Sequence, residues 1–574
     1  MSSHRNRGVS RAVALLCGLS ASFATSLVIA QETPADKTMD EVVVTGSRIA
    51  RPNLESPVPV TTISGEELFQ TGNTSIGDLL NDLPALRSTF SQSNSSRFLG
   101  TTGLNLLDLR GLGTQRTLVL VNGRRHVGSD ILSNAVSPDT NTFPTDLIER
   151  IDVVTGGNSA VYGSDAIAGV VNFVLKKDYT GLQFRGQAGQ SDEGDAGNYY
   201  GSILGGTNFM DDRGNIAFNF EYAKQDAWFA SERENLRNNG NFVVVDSDPA
   251  SAENGSDGNP DRVFYDDIRF ASIANSGSFL ITNNAMAPTL TPCGVDSLGG
   301  RFSCSYVFDA NGALVPQTGQ RIGLAPTGNF LGGNGMNNRE ETLLAIYPDL
   351  DRYSLNVFGH LQISEAFVPF VEAKYVRTES IRYGSPAFFQ GGTTGDPRET
   401  ISWTNPYLSD QARAVLQQAR VNAGFTGGAP GTPTGPYDDT SRIALRKNLI
   451  EFGPRREDAT RETSRIVLGV GGQMSENWNY EVALNYGEFK EDTIVRGNMN
   501  MQRFGLAMDS TLSGGNIVCR SQVDPDAAFI YPFSNDDDFA TARLADDVAS
   551  CVPMNPFGQG NISEGARGYV LQDT

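Results

Sequence analysis

Five cysteines and three histidines are the residues of this chain best suited to nucleophilic, redox or metal chemistry. Cys17 lies in an apolar N-terminal segment, and Leu16 before it is not the small residue that lipoprotein processing needs. The other four are Cys293, Cys304, Cys519 and Cys551. No CxxC and no Cys/His cluster occurs, and an even count in an exported chain favours disulfides over metal ligation. Three pairings are possible; the local one, Cys293–Cys304 with Cys519–Cys551, closes the shorter loops. His4, His126 and His360 are scattered. With no HExxH and no GxSxG, neither zinc-hydrolase nor serine-hydrolase chemistry has its parts. Gly156, Gly157, Gly163 and Gly169 lack the Lys-Ser/Thr of a phosphate cradle and read as turn and packing positions. Asp536, Asp537 and Asp538 lack the alternating ligands of a calcium loop. These absences predict no enzyme activity, no cofactor and no metal.

Backbone chemistry is a better prospect. Glu41, Val42, Val43, Val44 and Thr45 form a β-prone run between flexible flanks. Such a run presents unpaired N–H and C=O groups that a partner's sheet edge can take up. Residues 88–103 are rich in Ser, Asn, Gly and Thr and read as an exposed loop.

The elements that would position these groups fall into four stretches. Residues 1–30 read as a signal peptide, with Arg5, Arg7 and Arg11 before an apolar segment and a small-x-small site ending at Ala30. Residues 31–51 form a polar tail holding the valine run. Residues 52–178 mix α and β: a strand at 58–63, a capping box at Ser64–Glu67, helical spacing of Ile76, Leu79, Leu80 and Leu83, and a strand at 118–121 entering an Asn122-Gly123 turn. A helical turn at 147–150 and strands at 151–155 and 170–175 follow. From 179 to 574 the period becomes two. Ile216, Phe218, Phe220 and Tyr222 alternate with Ala217, Asn219 and Glu221; Trp478, Tyr480, Val482, Leu484 and Tyr486 alternate with polar neighbours. Seven such strands are expected, near 182–188, 198–209, 216–222, 353–362, 366–378, 465–474 and 478–486. Short turns around 211–214, 364–365 and 475–476 alternate with long loops at 231–350, 384–460 and 493 onward. That asymmetry suits a transmembrane β-barrel better than a secreted sandwich, and all four of these cysteines fall in the long loops. No later segment is apolar enough to span a bilayer as a helix. A net charge of −21 argues against nucleic acid as a partner. An odd strand count and an end at Thr574 inside a loop predict an incomplete barrel, since one wide enough to hold an inner domain needs about 22 strands.

The stretch Asp40–Lys177 resembles the N-terminus of TonB-dependent outer-membrane receptors. The carriers are Asp40–Arg48, similar to the TonB box; Asp78–Pro84; Leu109–Gly113 with Thr117–Arg125; and Ile148–Val154 followed by Ala160–Asn172. The resemblance implies a mixed α/β plug domain followed by antiparallel barrel strands in the outer membrane of a Gram-negative bacterium. It implies that Glu41–Thr45 bind TonB, that lipid surrounds the strands, and that a scarce or bulky solute is actively taken up. An iron chelate of the siderophore type is the first expectation, with a glycan or cobalamin as alternatives and a passive porin as the competing class. It also implies that plug loops carrying Ser91, Gln92, Asn94, Arg97, Arg124, Arg125 and His126 form the apex that meets the solute. Arg110 and Glu149 are plausible plug charges facing the wall.

Overall fold

The computed structural model describes residues 60–65, 75–95, 100–129, 137–156, 158–248, 255–282, 293–385, 387–389, 400–425, 437–439, 441–475, 478–528 and 537–574. The valine run at 41–45, Arg97 and the Glu66–Glu67 half of the capping box lie outside them.

The plug is built on five strands: β1 (Val60–Ser64), β2 (Thr117–Val121), β3 (Arg124–Arg125), β4 (Ile148–Thr155) and β5 (Gly169–Leu175), in the order β1-β4-β5-β2-β3. β2 and β5 run parallel and the other pairs antiparallel. Asn122 and Gly123, at φ of 51° and 74°, make the tight turn between β2 and β3. The expected helical turn at 147–150 is instead the start of β4. Ile148 pairs with Leu175 and Arg150 with Val174, so long-range pairing overrides local propensity there. The helix Ile76–Asn81 is capped by Ser75, whose hydroxyl accepts from the Asp78 N–H. Gly169 allows the β4–β5 approach, because a Cβ there would lie 2.2 Å from the Val154 carbonyl oxygen.

Seven long strands make the wall: β6 (Gly181–Gly189), β7 (Asn198–Phe209), β8 (Gly214–Gln225), β9 (Asp349–Leu361), β10 (Val368–Gly384), β11 (Arg455–Ser475) and β12 (Trp478–Arg496). They form one antiparallel meander in chain order, not closed on itself. The last two extend further than the sequence pattern suggests, taking up parts of both neighbouring loops. The wall inverts the usual burial rule. Asn219, Glu221, Asn356 and Glu457 have no exposed surface, while Phe184, Phe218, Leu355, Leu468 and Leu484 are exposed on the opposite face.

That exposed apolar face has a slanted upper edge. Tyr222 and Tyr353 stand opposite each other; on β10 the edge is Tyr375, one pair lower, opposite Leu355; on β11 and β12 it is Ile466 and Tyr486, lower by another pair. The edge therefore falls by about four residues, or about 13 Å, over four strand spacings of about 4.8 Å. The short turns descend in parallel. Gly214 is level with Val482 through Leu361, Pro369 and Val470, and the last turn ends at Trp478, four residues further down. A slope of about 35° is the strand tilt of a transmembrane barrel. On both β8 (Gly214 to Tyr222) and β12 (Trp478 to Tyr486) the belt spans eight residue-to-residue steps, or about 22 Å after tilt, close to the height of a lipid-facing band.

The three long loops do not hang separately. Phe279, Phe308 and Leu314 of the first, Ile401, Leu408, Leu416 and Leu449 of the second, and Phe504, Leu506, Phe557 and Tyr569 of the third share one hydrophobic core. The helices Asp410–Asn422, Met501–Met508 and Glu564–Val570 belong to this lobe. Cys293 is bonded to Cys304 and Cys519 to Cys551, at Cα separations of 5.2 and 6.2 Å.

Candidate functional site

Plug and wall meet along a polar seam with three stations. At the long-loop end, the Gly100 N–H donates to Glu457 at 2.9 Å. Arg461 and Ser380 both donate to the Thr102 carbonyl, Arg461 also reaches Glu491 at 3.1 Å, and Arg382 pairs with Glu457 at 3.3 Å. Gly103 fits here without a side chain, since a Cβ would meet Ser380 at 2.7 Å.

In the middle, the Glu221 carboxylate accepts both the Thr145 and the Asp146 backbone N–H groups, at 3.2 and 3.1 Å. Asp146 in turn accepts from Arg185 at 2.9 Å and from the Ser202 hydroxyl. Arg352 lies 3.7 Å from Glu221 and donates to the Asn141 carbonyl. Just inside this station the Asp139 side chain accepts from the Asn105 and Asn141 N–H groups, both at 3.1 Å. Burial pushes its carboxyl up to about 6 despite those donors.

At the short-turn end, Arg124 bridges Glu372 at 3.0 Å and Glu481 at 2.5 Å, with its guanidinium over the Phe370 ring. Asn122 and Arg465 also bond Glu372. A cavity of about 220 Å³ opens beside Arg124, lined by Asp178, His360, Phe358, Phe370 and Glu481 among others.

Of the seven polar plug residues picked out from the sequence, Arg97 lies outside the described residues and the other six separate into two groups. Ser91, Gln92 and Asn94 lie in the long-loop half, where the turn Gln92–Ser95 packs against Ala345–Tyr347 from the first long loop. Ser91 is tied to Ser93 at 3.0 Å and Asn94 to the Ser88 carbonyl. Gln92 is fully buried, and neither of its amide atoms has a partner among the described residues. Arg124, Arg125 and His126 lie lower, on the seam itself. Arg125 pairs with Asp165 within the plug. His126 packs edge-on to Phe143, its Nδ1 meets the Val127 carbonyl, and Lys374 donates to its Nε2 at 3.0 Å. Burial first, then the nearby Lys374 and Arg465, hold it well below the usual histidine range, so the ring is neutral. Arg110 and Glu149 are exposed, and Glu149 pairs with its neighbour Arg150 rather than with the wall.

The seam's wall partners, Glu221, Glu372, Glu457, Arg352, Arg461 and Arg465, were not singled out from the sequence. Their signal is there: each is a charge at an inward position of an alternating strand, which a water-filled lumen alone would not require so regularly. Among the described residues no group of His, Cys, Asp or Glu is placed to hold a metal ion, and no helix is long and apolar enough to cross a membrane.

Residues 52–170 match the family model of the TonB-dependent receptor plug domain. Among solved structures, the chain is similar to a mutant ferric enterobactin receptor of Pseudomonas aeruginosa in complex with enterobactin, at 15% identity and a TM-score of 0.29, covering 77% of this chain and 50% of that one. It is similar to the siderophore receptor PiuA of Acinetobacter baumannii, at 12% identity and 0.32, covering 82% and 49%. It is also similar to the alcaligin outer-membrane receptor FauA of Bordetella pertussis, at 10% and 0.31, covering 79% and 51%. The chain spans about half the length of each of these.

Proposed function

We propose that this chain, a TonB-dependent receptor chain with its plug domain at residues 52–170, carries the coupling segment, plug and first wall strands of an outer-membrane uptake receptor. The observation that carries this reading is the seam. A globular domain is docked by charge and hydrogen bonds against the inward face of a sheet whose outward face is an apolar belt about 22 Å high. A soluble protein would bury the opposite face. The solute is an iron chelate of the siderophore type, met between the long-loop lobe and the plug residues Ser91, Gln92, Asn94 and Arg97. TonB draws on Glu41–Thr45 through added-strand pairing, in which backbone hydrogen bonds provide the grip. A passive porin has no use for a docked plug, which disfavours that class.

The coupling segment gives the test. Val43→Pro removes one N–H donor and restricts the preceding residue. Energised uptake of iron-loaded chelate by cells is expected to be lost while chelate binding to isolated outer membranes is retained. Unchanged uptake would remove the coupling role from this segment.

A further inference from the structure

The long-loop end carries a charge imbalance that the plug and wall do not share. Residues 226–348, 385–454 and 497–574 hold 30 carboxylates against 17 cations, a net −13, which is more than half of the chain's −21 in less than half its length. Several of the cations are also committed, although Arg237, Arg262, Arg301, Arg543 and Arg567 are exposed. The one lysine, Lys447, is fully buried against Glu451 and the Gly558 carbonyl. Arg233 is paired with Asp195, Arg269 with Asp267, Arg503 with Asp547 and Arg520 with Asp509. Arg321 is held between the Phe302 and Phe330 rings. Carboxylates at exposed positions, among them Glu234, Asp257, Asp266, Asp524, Asp526 and Asp546, face solvent.

On the lobe side of the plug, the described residues 88–95 and 100–103 offer hydroxyls and amides and no charged side chain. Gln92 brings a buried amide with neither end satisfied among the described residues, and a buried amide left so is costly unless something it meets in use completes it. A field of one sign over an entrance concentrates ligands of the opposite sign and repels those of its own, changing encounter rates by about 10- to 1000-fold at low salt.

We propose that the solute admitted here is neutral or cationic, recognised through hydroxyl and amide groups, and that polyanionic chelates such as tris-catecholate iron complexes are turned away by the lobe. This rests on the uptake reading above, and two measurements keep the two claims apart. The first is equilibrium binding to the full chain in detergent, in buffer without divalent cations, of a trianionic ferric tris-catecholate, a neutral ferric trihydroxamate and a cationic ferric trihydroxamate. The neutral or cationic complex is expected to bind at least about tenfold tighter at low salt, with the gap narrowing as salt rises. Tighter binding of the trianion at low salt overturns the proposal. Binding by none of the three counts against the iron-chelate reading, and the charge claim is then decided by the second measurement. Of the three tryptophans, Trp228 and Trp403 lie in the long-loop region and Trp478 at the far end of the wall. In a Trp478→Phe chain, caesium is expected to quench the remaining emission more than iodide does, relative to free tryptophan amide, and the difference to vanish in about 0.5 M salt, where the screening length is only a few ångströms. Equal or stronger iodide quenching at low salt refutes the acidic entrance.

Discussion

Glu221 shows what single residues contribute to this assembly. It has no exposed surface, and its carboxylate accepts two backbone N–H groups of the plug. Glu221→Ala leaves those donors and the Arg352 guanidinium buried without their anion, a loss of about 3–5 kcal/mol for a broken buried charge set. The expected result is a plug cleaved by added protease under conditions where the unaltered chain resists, with Glu221→Gln intermediate because its amide oxygen still accepts. Asp139 predicts a pH effect. Its carboxyl titrates near 6 in the fold and near 3.8 in an unfolded chain, so the folded plug binds the proton more tightly, and stability from this group falls as pH rises from about 4 to 6. Asp139→Asn keeps the acceptor oxygen but cannot ionise. It should raise the plug's unfolding midpoint at pH 7 and flatten its slope across that window, as followed by thermal melts; an unchanged slope would clear Asp139 of that role. Little of this was visible in the sequence. The polarity of residues 88–103 was legible from local composition but their burial was not, since Ser91, Gln92, Ser95, Thr101 and Thr102 are buried where an exposed loop is expected, and Glu221 acquires its role only when a segment 75 residues away arrives beside it.

The elements were more legible than the residues. Alternation identified every wall strand because side chains on a strand have a period of two whatever the partner. The turn at Asn122-Gly123 was readable because few residues tolerate positive φ. What the pattern could not supply was the fate of the loops. The helix Asp410–Asn422 and the shared core with residues near 280, 450 and 505 bury apolar side chains that are spread thinly along each loop, and only their convergence makes a core. Cys519 and Cys551 sit in it. Replacing both with serine is expected to destabilise the lobe by about 2–4 kcal/mol and to speed hydrogen exchange in all three loops together. Faster exchange confined to residues 519–551 would mean the loops are independent.

At the scale of the whole molecule, two parallel slanted edges bound the exposed apolar belt, and the proposed function puts lipid between them. Val482 lies midway along the belt on β12 and Lys490 four residues above its upper edge. Val482→Arg should therefore weaken insertion into vesicles by about 2–4 kcal/mol, and a charge reversal at Lys490 should leave insertion unchanged. Equal effects at both sites would put the belt in the wrong place. The seam has a different consequence. Because plug and wall are joined mainly through ions and hydrogen bonds, with Leu204 and Phe358 as wall side chains that enter the plug's apolar core, most contacts broken as they separate are ones that water can remake on both sides. The interface thus works like a wet bearing, firm at rest yet yielding to a steady pull one contact at a time, and salt rather than temperature should set how readily it slips.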